Sequence, residues 1–168
     1  MFKKNIFYTL ILFFFLTSAW CDNNVAYLDL EKIISQSNVG KNLLKKLKED
    51  EDKTIEFFST KEKKLKEEEN KIFASKNIIS SEAFNLQINQ FKEKIKKYQV
   101  EKSNKIENLK KERNQAINKL IVNINPIISE YMNNNAISII IDKKNIFIAN
   151  KNYDITKIII DKINLSMK

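Results

Sequence analysis

KNLLKKLKEDEDKTIEFFSTKEKKLKEEENKIFASK (residues 41–76) and SEAFNLQINQFKEKIKKYQVEKSNKIENLKKERNQAINKLIVNINPIISEY (residues 81–131) decide the fold of this chain. Across these stretches apolar residues recur at alternating spacings of three and four, the period of a helix with one apolar stripe. Almost nothing in the run breaks a helix. The single glycine, Gly40, precedes it, and the single proline, Pro126, lies near its end. The intervening polar stretch, about Ala74 to Ser80, turns the chain back, with Ser80 as N-cap and Glu82 in the first turn of the return helix. The pattern predicts an antiparallel helical hairpin over 41–131. Arms of some thirty-five residues reach roughly 50 Å at ~1.5 Å per residue.

The two stripes are unequal. On the first arm the seam runs Leu44, Leu47, Glu51, Ile55, Phe58, Glu62, Leu65, Glu69, Ile72, so carboxylates interrupt it three times. A coiled coil built for stability avoids carboxylates there. The return seam runs Phe84, Ile88, Phe91, Ile95, Tyr98, Lys102, Ile106, Leu109, Arg113, Ala116, Leu120, Ile124, Ile127, Tyr131. Its two cations, Lys102 and Arg113, are placed to face the acids opposite. Pro126 is expected to kink or loosen the helix near its base.

Outside the hairpin the period shortens. Val25-Ala26-Tyr27-Leu28-Asp29-Leu30 reads as a strand with two apolar faces, and Glu31 to Gln36 as a short helix with Ile33 and Ile34. After Asn133-Asn134-Asn135, Ile137 to Asp142 alternate as a second strand. Lys143-Lys144-Asn145 is a turn, and Ile146-Phe147-Ile148-Ala149 returns as its hairpin partner. Asp154 caps a closing helix with Ile155, Ile158, Ile159 and Ile163 on its apolar side. The fold class is therefore α+β. A small body of residues 22–40 and 132–168, with three strands per chain, carries the protruding hairpin of residues 41–131. So small a body is marginal alone, and oligomerisation is the expected remedy.

Residues 1–21 read as a secretory signal peptide: Lys3 and Lys4, then an apolar stretch from Ile6 to Leu16 too short to span a bilayer. Small residues permit cleavage after Ala19 or after Cys21, and bulky Trp20 disfavours a lipid anchor on Cys21. The chain has no histidine and one cysteine. Cys/His zinc sites, Ser-His-Asp triads and Cys-His dyads are thereby excluded, and no glycine-rich loop cradles a phosphate. No enzyme activity, metal or cofactor is expected. The net charge is +9, and once Lys3 and Lys4 are set aside the two arms carry the whole excess. Such arms steer toward acidic partners, or merely reflect a lysine-rich composition.

Two terminal motifs carry a resemblance. Val25-Ala26-Tyr27-Leu28-Asp29-Leu30-Glu31-Lys32-Ile33-Ile34, with Ser37-x-x-Gly40-Lys41, is similar to the start of the Skp (OmpH-like) periplasmic chaperones. Ile139-Ile140-Ile141-Asp142-Lys143, followed by Tyr153-Asp154-Ile155-Thr156, resembles their far end. The resemblance covers the whole mature chain in order. It implies a homotrimer whose body is a β-barrel built from all three chains, with three arms enclosing a cavity. Unfolded outer-membrane proteins would be held there without ATP.

On that resemblance Phe57, Phe73, Ile72, Phe84 and Phe91 are candidate contacts to apolar client segments, although seam residues, like Phe58 and Tyr98, can instead pack arm against arm. Lys92, Lys94, Lys96, Lys97, Lys110 and Lys111 are candidates for steering acidic clients, anionic lipid or lipopolysaccharide, or form a solvated helix face. Val25, Tyr27, Leu28, Ile139, Ile141, Ile146 and Ile148 are the candidate trimer interface; burial within one chain is the alternative. A passive structural or adaptor coiled coil of the envelope is the competing reading, and the acidic interruptions speak against it. Nucleic acid is not an expected partner, because export and the acidic runs Glu49 to Asp52 and Glu67 to Glu69 oppose phosphate binding.

Overall fold

The computed structural model describes residues 24–167. The signal-peptide reading, with its cleavage after Ala19 or Cys21, lies outside them. Strand β1 (Asn24–Leu28) leads into helix α1 (Leu30–Gln36), and two long helices follow, α2 (Asn38–Ser75) and α3 (Ser81–Asn134). Strand β2 (Ile137–Asp142), two 3-10 turns (Lys143–Asn145 and Lys151–Tyr153) and helix α4 (Thr156–Ser166) complete the chain.

The hairpin follows from its caps. The Ser37 hydroxyl accepts from the Gly40 amide (3.2 Å) and opens α2, and the Ser80 hydroxyl accepts from the Ala83 amide (3.2 Å) and opens α3. The turn between them falls where the polar stretch predicts it. Gly40 has a steric reason: a Cβ there would sit 1.9 Å from the Ile34 carbonyl oxygen of α1. Helix α3 runs through Pro126 as one element.

β1 and β2 pair in parallel, Val25 opposite Ile139 and Tyr27 opposite Ile141. Parallel strands need a long crossover, and here the crossover is the entire hairpin. The chain therefore supplies two strands, and the expected third is absent from the described residues. Ile146 to Ala149 lie outside any strand, because the 3-10 turn at Lys143–Asn145 does not fold them back on β2. Ile148 is exposed and Ile146 half-buried.

Ala26 and Leu28 from β1, Ile33 from α1, Leu120 and Ile124 from the base of α3, and Ile155, Ile159, Ile160 and Ile163 form one apolar cluster. Ile159 and Ile163 have no exposed surface. On α4 the buried face includes Ile160 where Ile158 was expected, and Ile158 is exposed. Thr156 joins the two ends of the chain. Its hydroxyl accepts from the Asp29 amide (2.9 Å) and donates to Asp154. Burial pushes the Asp154 carboxyl up, but the hydrogen bonds from the Thr156 side chain and amide outweigh it and hold it below its ordinary value. The Asn38 amide likewise donates to the Asn164 side chain (2.7 Å), fastening the start of α2 to α4.

Candidate functional site

The facing surfaces of α2 and α3 are held by few contacts. Only Phe58 and Ile72 of α2, and Leu120 and Ile124 at the base of α3, are fully buried on the arms, apart from Gly40 at the α1 junction. The Phe58 ring meets Tyr98 edge-on at 5.8 Å and Phe57 at 5.1 Å. Around this aromatic contact, ion pairs cross between the arms: Lys61 to Glu101 (2.6 Å), Lys102 to Glu62 (2.6 Å), and Lys94 to Glu68. The Tyr98 hydroxyl also donates to Glu62. The seam acid Glu62 thus faces the seam cation Lys102, as the antiparallel register requires.

Charge and burial tune this clasp. Hydrogen bonds from Lys102 and then Tyr98 hold the Glu62 carboxyl below its ordinary range, and the bond to Glu62 raises the Lys102 ammonium. Burial, followed by the bond to Glu62, pushes the Tyr98 phenol up, so it stays a neutral donor. Glu62 and Lys102 are therefore both charged at neutral pH. Arg113 does not complete a matching pair: it lines the gap opposite Glu51, and no carboxylate lies within 4 Å of it among the described residues.

Below the clasp the arms part around a cleft of about 590 Å³. Its apolar walls are Leu47, Ile55, Phe58, Ile106 and Leu109, and Glu51, Glu62, Lys102 and Arg113 stand at its rim. Ile55 and Ile106 are seam residues, yet both are exposed because no partner crosses the gap. Periodicity placed them on the seam but carried no signal that the seam opens there.

The sequence-predicted residues divide as follows. Phe57 (49% exposed) and Phe73 (56% exposed) present ring surface to solvent, with the Lys61 ammonium 4.6 Å from the Phe57 ring centre. Ile72 is buried, and Phe84 and Phe91 are half-buried between the arms. Phe73 and Phe84 tilt against each other at 6.5 Å. Lys92, Lys94, Lys96, Lys97, Lys110 and Lys111 are all exposed, and of these Lys94 alone is paired with a carboxylate among the described residues. In the body, Tyr27 and Leu28 are buried within their own chain. Val25, Ile139 and Ile141, on the same face of the sheet as Tyr27, keep part of their surface exposed, and Phe147 is fully exposed. No cluster of potential metal ligands occurs among the described residues.

A family model described as "Outer membrane protein (OmpH-like)" matches residues 24–163. No curated protein matches the chain at a significant level. Among solved structures, a candidate outer membrane chaperone (OmpH-like) from Caulobacter crescentus CB15 superposes with a TM-score of 0.78 at 19% identity, covering 86% of each chain. At that identity the likeness is one of fold.

Proposed function

The chain belongs to the OmpH-like family, and from that footing we propose that it is an ATP-independent periplasmic holdase that binds unfolded outer-membrane proteins between the arms of a homotrimer. The observation that carries this reading is the interrupted seam, which leaves Ile55 and Ile106 exposed, with Phe57 and Phe73 exposed beside it, along two long helices. Sparse apolar contacts on such a scaffold suit clients of no fixed shape, since many weak contacts sum by avidity and still release. Release needs no nucleotide: client folding elsewhere draws it off by mass action. The unpaired lysines at 92, 96, 97, 110 and 111 would favour acidic clients and speed their encounter.

The trimer draws support from the body. Val25, Ile139 and Ile141 leave apolar surface uncovered on one face of the sheet, and Phe147 and Ile148 are exposed as well. Ile146 to Ala149, without a strand partner in their own chain, would supply the third strand once neighbouring chains close the barrel.

Light scattering of the chain from Asp22 onward, alone and after dilution of a urea-unfolded outer-membrane β-barrel into it, tests the proposal. A mass of three protomers that rises by a client, with aggregation suppressed, is expected. A stable trimer that leaves the client to precipitate favours a passive structural coiled coil, and a monomer or dimer defeats the barrel.

A further inference from the structure

The charge of the arms stops short of their tip. Asn77 to Gln90 hold one charged side chain, Glu82, in a chain whose residues are 30% charged. The same segment exposes large apolar side chains to solvent: Ile78 is 82% and Leu86 60% exposed, and Phe73, just before the turn, is 56% exposed. These three residues lie within roughly 8 Å of the turn along the helix axes, at ~1.5 Å per residue. Lysines stand at and behind the turn: Lys76 opens it, Lys71 lies behind it on one arm and Lys92, Lys96 and Lys97 on the other, none of them paired with a carboxylate among the described residues.

An apolar, nearly uncharged end backed by a basic collar matches the layering of an anionic bilayer surface. Apolar side chains enter the headgroup and acyl boundary to a depth of about 5–10 Å, while lysines behind them meet the phosphates and the negative surface potential. Lys76, at the apex itself, has a stem long enough to lie along apolar surface with its ammonium at headgroup level. The polar remainder of the tip, Asn77, Ser80, Ser81, Asn85 and Gln87, is uncharged and tolerates that interface. No described helix is long and apolar enough to cross a membrane, so the contact is superficial.

We propose that the hairpin tip is an interfacial docking element that enters the surface of an anionic phospholipid bilayer end-on, through Ile78, Leu86 and Phe73. This goes beyond the holdase reading and does not depend on it. Ile78 and Leu86 belong to the tip alone, Phe73 is shared with the client surface, and Ile55, Phe57 and Ile106 lie away from the tip.

The test uses the chain from Asp22 onward, which holds every described element, with an environment-sensitive dye at Ile78→Cys or, as reference, at exposed Leu165→Cys in the body. On mixed phosphatidylcholine–phosphatidylglycerol vesicles the dye at 78 shifts to the blue and the dye at 165 does not. In unlabelled protein, Ile78→Ser with Leu86→Ser lowers vesicle binding roughly tenfold. Lys71→Gln, Lys76→Gln and Lys92→Gln together abolish the preference over neutral vesicles and its salt dependence. Unchanged binding by the serine variant, or equal shifts at 78 and 165, overturns the proposal. So does a serine variant that loses suppression of client aggregation in lipid-free buffer while binding vesicles normally, because the tip would then be a client grip. Wild-type protein that fails to suppress aggregation, yet shows the shift at 78, removes the holdase reading and leaves the tip proposal intact.

Discussion

In the body, nine buried apolar residues drawn from β1, α1, α3 and α4 and the residue preceding it close around Ile159 and Ile163. Along the arms, burial between the helices above that body shrinks to Phe58 and Ile72, and exposed ion pairs do much of the remaining fastening. The two regions share a composition of Ile, Lys and Asn but divide the work. Burial holds the body in one arrangement. In the arms, pairs exposed to water contribute little each and are screened by salt, so stability is given up for surface. A chain that must keep apolar side chains wet can do so only if its ends are anchored elsewhere.

The sharpest way to break the contrast is to strike the anchor. Ile163→Ala should cost about 2–5 kcal/mol, and urea unfolding followed by circular dichroism should show the helical arms lost together with the body. Phe57→Ala on an arm, measured in the same way, should leave the midpoint nearly unchanged. If the arms outlast the body in the Ile163 variant, the arms are self-sufficient and the division of labour fails.

Gly40→Ala tests the joint between α1 and α2. The new methyl collides with the Ile34 carbonyl, a backbone atom that cannot swing aside, and a loss of about 1–3 kcal/mol is expected in denaturant titration. A neutral result would mean that α1 is free to shift. At the other joint the sign reverses. Ala136, between α3 and β2, has φ 51°, a left-handed conformation that strains a residue carrying a Cβ. Ala136→Gly should therefore raise stability by about 0.5 kcal/mol.

The smallest effect on stability, and the most specific to the arms, belongs to the clasp. Glu62→Gln should leave the unfolding midpoint in place yet lengthen the distance between spin labels at Lys64→Cys and Lys97→Cys. Acid offers the same test without a substitution. Because the Glu62 carboxyl titrates below its ordinary range, the clasp is complete above that range and is lost as pH falls through the lowered value. The raised Lys102 keeps it through mildly alkaline pH. Spin-label distances that widen already near neutrality would contradict this assignment.

Much of this architecture is legible in the chain itself. Alternating three and four spacings locate both arms, Ser80 marks the start of the second, and antiparallel register pairs Glu62 with Lys102. Strand direction is not legible, since a period of two is the same for parallel and antiparallel neighbours. Ile146 to Ala149 read as a strand because β-branched and aromatic residues suit one, but propensity does not supply a partner. On α4, Ile158 and Ile160 flank the buried stripe on either side, and only the position of β1 and α3 decides which is covered. The cleft is illegible for a related reason. Seam residues are recognised by spacing, but whether two seams touch depends on where the helices diverge. The tip, by contrast, is written in what is missing: a stretch with a single charge in a heavily charged sequence.

The parallel pairing of β1 with β2 also orders events in time. Val25 and Ile139 are neighbours in space yet flank the whole hairpin in sequence, so no part of the sheet can close until both long helices and then β2 have emerged from whatever delivers the chain. Unaided, joining ends so far apart is entropically costly and slow. The hairpin shortens that search, because its own turn is local and zipping it brings the residues at its two ends side by side. Pulse-labelled hydrogen exchange should accordingly find weak, transient protection in the arms before β1 is protected, and full protection of both only together. The long helices that later serve as limbs are then first the splint on which the body is set.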